Sequence, residues 1–363
     1  MTVVAWIIWS FFAMQFLVAL SNLFFMERMK EGTLKEQPLV SILVPARNEE
    51  KNIPPLIESL LNQNYPNFEL IIFDDQSEDR TAGLVQQYCF QDSRIQLIQN
   101  TELPKGWLGK NYACYQLSQK ANGKYFLFLD ADVQISNNII FKAVNHMQKN
   151  GLSLISVFPK QIMTTRAEKM TVPVMHYILL TLLPLLLVRV VRFASLAAAN
   201  GQFMFFDAKV YTNEQPHHQM KANKVEDIAI ARFFKQKGLK ISCQTGYHEV
   251  SCRMYSTYFE AVNGFSRNIA DYFGGSMVLA TLFWFMTTLG PFVLFWKLNL
   301  QVAIAGLFMY LFTKIVVAVC SKQPVIENLR YLIQQQWAMG VFIFTAMKNH
   351  LKKEQQWKGR NVA

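Results

Sequence analysis

The chain has 363 residues, 52% hydrophobic and 17% charged, and 36 Lys and Arg against 25 Asp and Glu give a formal net charge of +11. At roughly 100–200 residues per domain this leaves room for one large domain with appendages or for two modest ones. The apolar excess excludes a disordered chain and points to lipid contact, while the positive charge calls for a negative partner: nucleic acid, anionic lipid or a phosphorylated ligand. Five cysteines without a C-x-x-C pair argue against a zinc cluster or a disulfide framework and suit reduced, buried thiols.

Thr2 to Met26 carries no charged side chain and is close to the roughly 20 residues that a bilayer-spanning helix needs. No basic region precedes it, while Glu27, Arg28 and Lys30 follow, which predicts an uncleaved anchor with its C-terminal end in the cytoplasm. From Leu39 to Gly151 short apolar runs alternate with polar, helix-like stretches. Strands are predicted at Leu39–Val44, Glu69–Phe73, Ile95–Ile98 and Lys124–Leu129, and helices at Asn52–Gln63, Glu78–Phe90 and Lys110–Ala121. That alternation implies βαβ units on a mostly parallel sheet, an α/β fold of Rossmann-like type.

Met170–Ala199 is apolar again, but Pro173, His176, Pro184, Arg189 and Arg192 fall within it. Arginine is costly at a bilayer centre, so a helix or helical pair lying in the membrane interface is expected in preference to a span. Beyond it, strands are predicted at Gly201–Phe206 and Leu239–Cys243, and helices at Val225–Gln236 and Ser256–Ala270. Ser276–Trp296 and Leu300–Cys320, joined by Lys297–Asn299, read as a transmembrane hairpin. Trp337–Met347 is too short to span alone and reads as interfacial or re-entrant, ahead of a cationic tail with Lys348, Lys352, Lys353, Lys358 and Arg360. The expected organisation is an anchor at 1–30, an α/β domain at 31–273 carrying the insertion 170–199, and a membrane-associated segment at 274–363.

The chemistry concentrates where predicted strands end. Tyr125–Leu129 runs into Asp130-Ala131-Asp132, and Ile71-Ile72-Phe73 runs into Asp74-Asp75-Gln76-Ser77. In open α/β sheets ligands bind beyond the carboxyl ends of the strands, and paired carboxylates there suit Mg²⁺ or Mn²⁺ holding a phosphate-bearing substrate. Helix capping accounts for some of these acids, but not for pairs at the ends of two strands. The first strand delivers Pro45-Ala46-Arg47-Asn48-Glu49-Glu50 instead of a glycine-rich dinucleotide or P-loop motif. Lys110, at a helix start after Gly106-Trp107-Leu108-Gly109, is placed either to meet a phosphate oxygen or to sit at the surface.

In this order and at these intervals, Pro45–Glu50, Asp74–Ser77 and Asp130–Asp132 resemble the nucleotide-sugar-dependent glycosyltransferases of family 2, whose catalytic domain has the GT-A fold. The resemblance covers about Leu39 to Phe273. It implies that Pro45, Arg47, Glu49 and Asp75 hold the nucleotide, that Asp130 serves nucleotide and metal, and that Asp132 holds the metal, Mg²⁺ or Mn²⁺. Gln134 matches the Asp-Ala-Asp-x-Gln arrangement of dolichyl-phosphate sugar synthases, or is a surface residue. Gly-Trp-x-Gly-Lys at 106–110 is similar to family members acting on carotenoid or hopanoid lipids, which assigns Lys110 to the donor phosphates. Glu226-Asp227 lies where the family carries its general base, so Asp227 is the expected base with Glu226 supporting it.

The Gln-x-x-Arg-Trp pentapeptide of processive polysaccharide synthases is absent; Cys252-Arg253-Met254-Tyr255 stands in its region, with Arg253 assigned to the diphosphate. The resemblance therefore implies a membrane-anchored inverting transferase with a cytoplasmic catalytic domain. It would move a glucose-type sugar from a UDP-sugar to a membrane lipid, a carotenoid first, with hopanoid, polyprenyl-phosphate or other glycolipid acceptors as alternatives. A polysaccharide synthase would need more spans, and a nucleotidyltransferase a glycine-rich first loop. A non-enzymatic scaffold with a degenerate domain would not need Asp75, Asp130, Asp132 and Asp227 together. Nucleic acid drops out as a partner, and the oligomeric state stays open.

Overall fold

The computed structural model describes residues 2–34 and 36–352, together with the backbone of two short strands, Gln356–Trp357 and Arg360–Asn361. Lys353 and Lys358 of the expected cationic tail lie outside the described residues. The chain folds as two compact units, one of Glu27–Lys160 and Leu186–Cys252, the other of Met1–Met26, Gln161–Leu185 and Arg253–Ala363. The apolar stretch 170–199 is thus shared between them.

In the first unit the strands are β1 (Val40–Ala46), β2 (Phe68–Asp74), β3 (Ile95–Gln99), β4 (Tyr125–Leu129), β5 (Val133–Ile135) and β6 (Leu154–Phe158). The two-residue β7 (Lys160–Gln161) follows at the unit boundary, and β8 (Phe203–Asp207), β9 (Ile241–Thr245) and β10 (Val250–Cys252) complete the set. Seven of them form one sheet in the order β3-β2-β1-β4-β8-β6-β9. Every neighbouring pair is parallel except those made by β8, which runs antiparallel between β4 and β6. Helices cover the sheet, so β2 and β4 are buried along their whole length, and this is why they read as unbroken apolar runs without alternation.

This topology decides where a ligand can sit. Strand order reverses between β1 and β4, and in such sheets the crevice opens at the carboxyl ends of the strands on either side of that point. The register aligns Ala46 with Asp74 and Leu129 with Phe203. Because β8 runs the opposite way, its entry loop 199–202, rather than its exit, lies beside the end of β4. Asp130 N donates to Gln202 O at 3.3 Å and fastens that loop to the D-x-D turn. A short antiparallel ribbon of β5 and β10 pairs Val133 with Cys252 and brings Cys252 to the same place.

Among the described residues the second unit carries three helices long and apolar enough to cross a membrane: Thr2–Phe25, Met277–Lys297 and Leu300–Cys320. Helix Leu332–Lys352, which contains the expected interfacial patch, is not among them. Small residues let these helices approach: a Cβ on Gly290 would lie 2.9 Å from both Ile8 and Phe12, and one on Gly306 would lie 2.6 Å from Leu294. The segment expected as a helix or helical pair breaks at Leu183–Pro184, after helix Pro173–Leu182. Proline cannot continue the hydrogen-bond ladder, and Asn22 makes good the loss: its Nδ2 donates to Leu180 O and Leu183 O, while its Oδ1 accepts from Leu185 N.

Candidate active site

The loops after β1 and β2 are laced to each other. Arg47, in the turn after β1, donates from Nη1 to Asp75 O at 2.7 Å and to Gln76 O at 3.3 Å. Asp75 N donates to Ala46 O at 2.8 Å, and Asn100 Nδ2 to Asp75 Oδ1 at 3.0 Å. Asn48 N donates to Ser77 Oγ, Glu78 N returns a bond to Asn48 Oδ1, and Glu49 N donates to Thr81 Oγ1 at 2.8 Å. Asn48 and Gln76 hold φ of 54° and 60°, the left-handed region that Asn tolerates better than most residues. Pro45 sits opposite Phe73 near the end of β1, where a missing N–H costs the ladder little. Of the residues expected to hold a nucleotide, Pro45, Arg47, Glu49 and Asp75 are therefore gathered on one pair of loops.

A second cluster lies at the end of β4, and charge holds it together. Helix Gly109–Lys120 begins right after the Trp107 loop, and Trp107 packs edge-on against Tyr112 at 5.5 Å. This fixes the first helical turn, from which Lys110 extends. Its Nζ lies 2.8 Å from Asp130 Oδ1 and 3.1 Å from Glu226 Oε1, so one ammonium bridges the D-x-D turn to the start of helix Glu226–Gln236. Burial works against that ammonium, but the two carboxylates hold its pKa well above the usual lysine value.

Asp227, beside Glu226, accepts from Gly201 N at 2.9 Å and from Ile228 N at 2.8 Å. Burial and the adjacent Glu226 carboxylate push its pKa up to about 7. Gly201 is what permits the convergence. A Cβ there would meet Lys110 Nζ at 2.9 Å and Glu226 Oε1 at 3.2 Å. The sequence places Gly201 at the start of a predicted strand without marking it as a close-approach position, since only the fold brings Lys110 and Glu226 over it.

Asp132 faces a different set of neighbours. Its Oδ2 accepts from Cys252 Sγ at 3.2 Å, and Gln202 Nε2 donates to the same sulfur at 2.8 Å. Its Oδ1 is buried with no hydrogen-bond partner. Burial and the Asp130 charge raise its pKa to about 6. A buried carboxylate oxygen left without a donor is costly unless a cation completes it. Asp130 and Asp132 are hard oxygen donors of the kind Mg²⁺ or Mn²⁺ takes, so the residues fit such an ion. Among the described residues no group of three or more His, Cys, Asp or Glu side chains is arranged to hold a metal unaided, so diphosphate oxygens and water would supply the rest of the coordination.

Neither Gln134 nor Arg253 takes part in the hydrogen bonds and ion pairs of these clusters. Gln134 is exposed on β5. Arg253 belongs to the unit with the membrane-length helices, where its Nε donates to the fully buried Glu168 at 2.7 Å. Cys252 and Gln202, in contrast, join the site without having been singled out: an isolated Cys in a sequence gives no sign that it will pack against a metal-type carboxylate.

Comparison with known proteins agrees with this geometry. Residues 41–211 match the family described as Glycosyl transferase family 2. The chain is 25% identical over 253 residues to the 4,4'-diaponeurosporenoate glycosyltransferase of Staphylococcus haemolyticus, a match covering 67% of this chain and 64% of that protein. It is 26% identical over 259 residues to the protein of the same name from Staphylococcus aureus, covering 69% and 66%. These matches span just under two thirds of the relatives' own length. A solved mannosyltransferase from Pyrobaculum calidifontis, in complex with GDP-Man and Mn²⁺, superposes with a TM-score of 0.60 at 14% identity, over 97% of this chain and 99% of its own. That likeness concerns the fold, which is GT-A.

Proposed function

With residues 41–211 a glycosyl transferase family 2 domain, we propose that the protein is a membrane-anchored inverting glycosyltransferase that moves a glucose-type sugar from a UDP-sugar to a carotenoid-type lipid. The observation that carries this reading is the Lys110 bridge between Asp130 and Glu226, which joins the D-x-D turn to the residue beside the candidate base Asp227. Pro45, Arg47, Glu49 and Asp75 would hold the nucleoside. Asp130 and Asp132 would hold Mg²⁺ or Mn²⁺, whose chemistry is to neutralise the departing diphosphate. Lys110 faces the same developing charge, and Arg253 is the further candidate on the diphosphate.

In the transfer, the acceptor oxygen forms a bond to the anomeric carbon while the bond from that carbon to the diphosphate oxygen breaks, its electron pair leaving with UDP. For a hydroxyl acceptor the released proton goes to Asp227, supported by Glu226. Near pH 7 a carboxyl with a pKa of about 7 is part ionised and basic enough to take it. The relatives' name includes a carboxylate, diaponeurosporenoate, and it favours a second version: an acid acceptor arrives already ionised, attacks as the carboxylate and forms a glycosyl ester with no base required. The three membrane-length helices favour a lipid acceptor and residence in a membrane over a soluble sugar acceptor.

The test is transfer by the detergent-purified full chain supplied with Mn²⁺, UDP-glucose and either a carotenoid alcohol or a carotenoid acid, read by mass spectrometry. The expected product is the acceptor plus one hexose, with UDP released in equal amount. Neither product nor UDP release with any UDP-hexose would refute the reading.

A further inference from the structure

The sheet-bearing unit contains a cavity of about 350 Å³ that lies outside the cluster around Lys110. Its lining includes Arg189, Arg192, Lys235 and Lys240, with no acidic residue. Lys235 is the unusual member: it is only 4% exposed, yet its ammonium meets carbonyls alone, Leu196 O at 3.0 Å and Leu187 O at 3.3 Å. An ammonium has three donors, so these bonds leave one for the cavity. Burial lowers its pKa to about 8, which still leaves it mostly charged at neutral pH. Arg189 is paired with Glu27 and donates to Asn150 Oδ1 at 2.9 Å, so its charge is answered inside the protein. Arg192 and Lys240 are exposed, and none of the ion pairs of the described residues includes them or Lys235.

Two further features indicate what the cavity holds. Val190, which also lines it, is 60% exposed, and Phe193, next to Arg192, is 71% exposed. Apolar side chains set between cations contribute nothing to holding a free phosphate in water, but they suit the boundary between headgroups and acyl chains. Helix Leu185–Val190, whose end lines the cavity, is continuous in sequence with Gln161–Leu185, which belongs to the unit carrying the membrane-length helices.

We propose that this cavity seats the phosphodiester headgroup of an anionic phospholipid, with Lys235 donating to the phosphate from within, Arg192 and Lys240 closing over it, and Val190 and Phe193 meeting the start of the acyl chains. A phosphate with a glycerol-sized headgroup fits the volume, and the unpaired cations supply the charge it needs. This site is independent of the transfer reaction and does not rest on the identity of its substrates.

The test uses the full chain in a neutral detergent, titrated separately with dihexanoyl phosphatidylglycerol, dihexanoyl phosphatidylcholine and inorganic phosphate, with bound lipid read by native mass spectrometry and Tm followed in parallel. Phosphatidylglycerol is expected to bind saturably and raise Tm, with phosphatidylcholine far weaker. Lys235→Met alters a buried position and puts folding at risk, so the deciding variant is Arg192→Gln with Lys240→Gln, both at the surface. At roughly five-fold per surface cation, it should weaken phosphatidylglycerol about 30-fold while leaving UDP affinity and the lipid-free Tm unchanged. Equal binding of the two lipids, inorganic phosphate matching and displacing phosphatidylglycerol, or wild-type titration by the double variant would each overturn the proposal.

Discussion

The two halves of the crevice are built on opposite principles. On the β1–β2 side, Arg47, Asn48, Glu49 and Asp75 are tied by hydrogen bonds that mostly involve backbone atoms, while Asp74, at the end of β2, keeps a buried Oδ1 without a hydrogen-bond partner. On the β4 side, Asp130, Asp132, Glu226 and Asp227 crowd around one bridging cation, Lys110, and one carboxylate oxygen has no donor at all. The difference teaches where recognition ends and chemistry begins. A cradle tied largely through backbone atoms is rigid without a ligand and so is preorganised for one. A cluster holding an excess of acids over cations is incomplete, and under the proposed function a dication with its diphosphate would complete it.

Substitutions can break the reactive half while sparing the cradle. The largest effect is expected from Asp227→Asn, which with a hydroxyl acceptor should lower turnover about 10²–10⁴-fold at unchanged UDP affinity. With a carboxylic acid acceptor a near-normal rate would instead select the ester-forming version of the reaction. Next comes Lys110→Met, which unlinks Asp130 from Glu226 and removes a cation from the developing charge; turnover should fall about 10²-fold, with donor KM raised less.

Gly201→Ala is a finer probe. Its Cβ would press on the end of the flexible Lys110 side chain, which can retreat by a few tenths of an ångström, so roughly a ten-fold loss of turnover with an unchanged Tm is expected. The smallest effect is on stability against pH. Asp132 and Asp227 carry pKa values of about 6 and about 7, above their unfolded values, so folding is favoured while they are protonated and that contribution is lost as pH rises through those values. The Tm of the ligand-free protein should therefore decline between about pH 4 and about pH 7 and level off above, and Asp227→Asn should flatten the upper part of that decline.

Much of the cradle was legible in the sequence because it is local. Strands predicted at Leu39–Val44, Glu69–Phe73 and Lys124–Leu129 form at Val40–Ala46, Phe68–Asp74 and Tyr125–Leu129, since apolar runs covered on both faces carry their own signature. The acids at their ends follow directly. On the β4 side the sequence marks the acids one by one, but not their assembly. That β8 enters the sheet antiparallel between β4 and β6, delivering Gly201 and Gln202 to Asp130, is a matter of long-range pairing. Cys252 reaches Asp132 through the β5–β10 ribbon for the same reason. Lys235 sits in a helix predicted correctly, yet its burial against carbonyls depends on chain segments some 40 residues away.

The central claim, that the Asp130–Asp132 turn becomes complete only with a divalent cation and a nucleoside diphosphate, is tested most directly by calorimetric titration of UDP into the full chain with and without Mn²⁺, in the wild type and in Asp132→Asn. The account predicts that Mn²⁺ strengthens UDP binding in the wild type by about 10²-fold and has no effect on the variant, whose metal-free affinity stays as it was. Equal strengthening of UDP binding by Mn²⁺ in both proteins would contradict it.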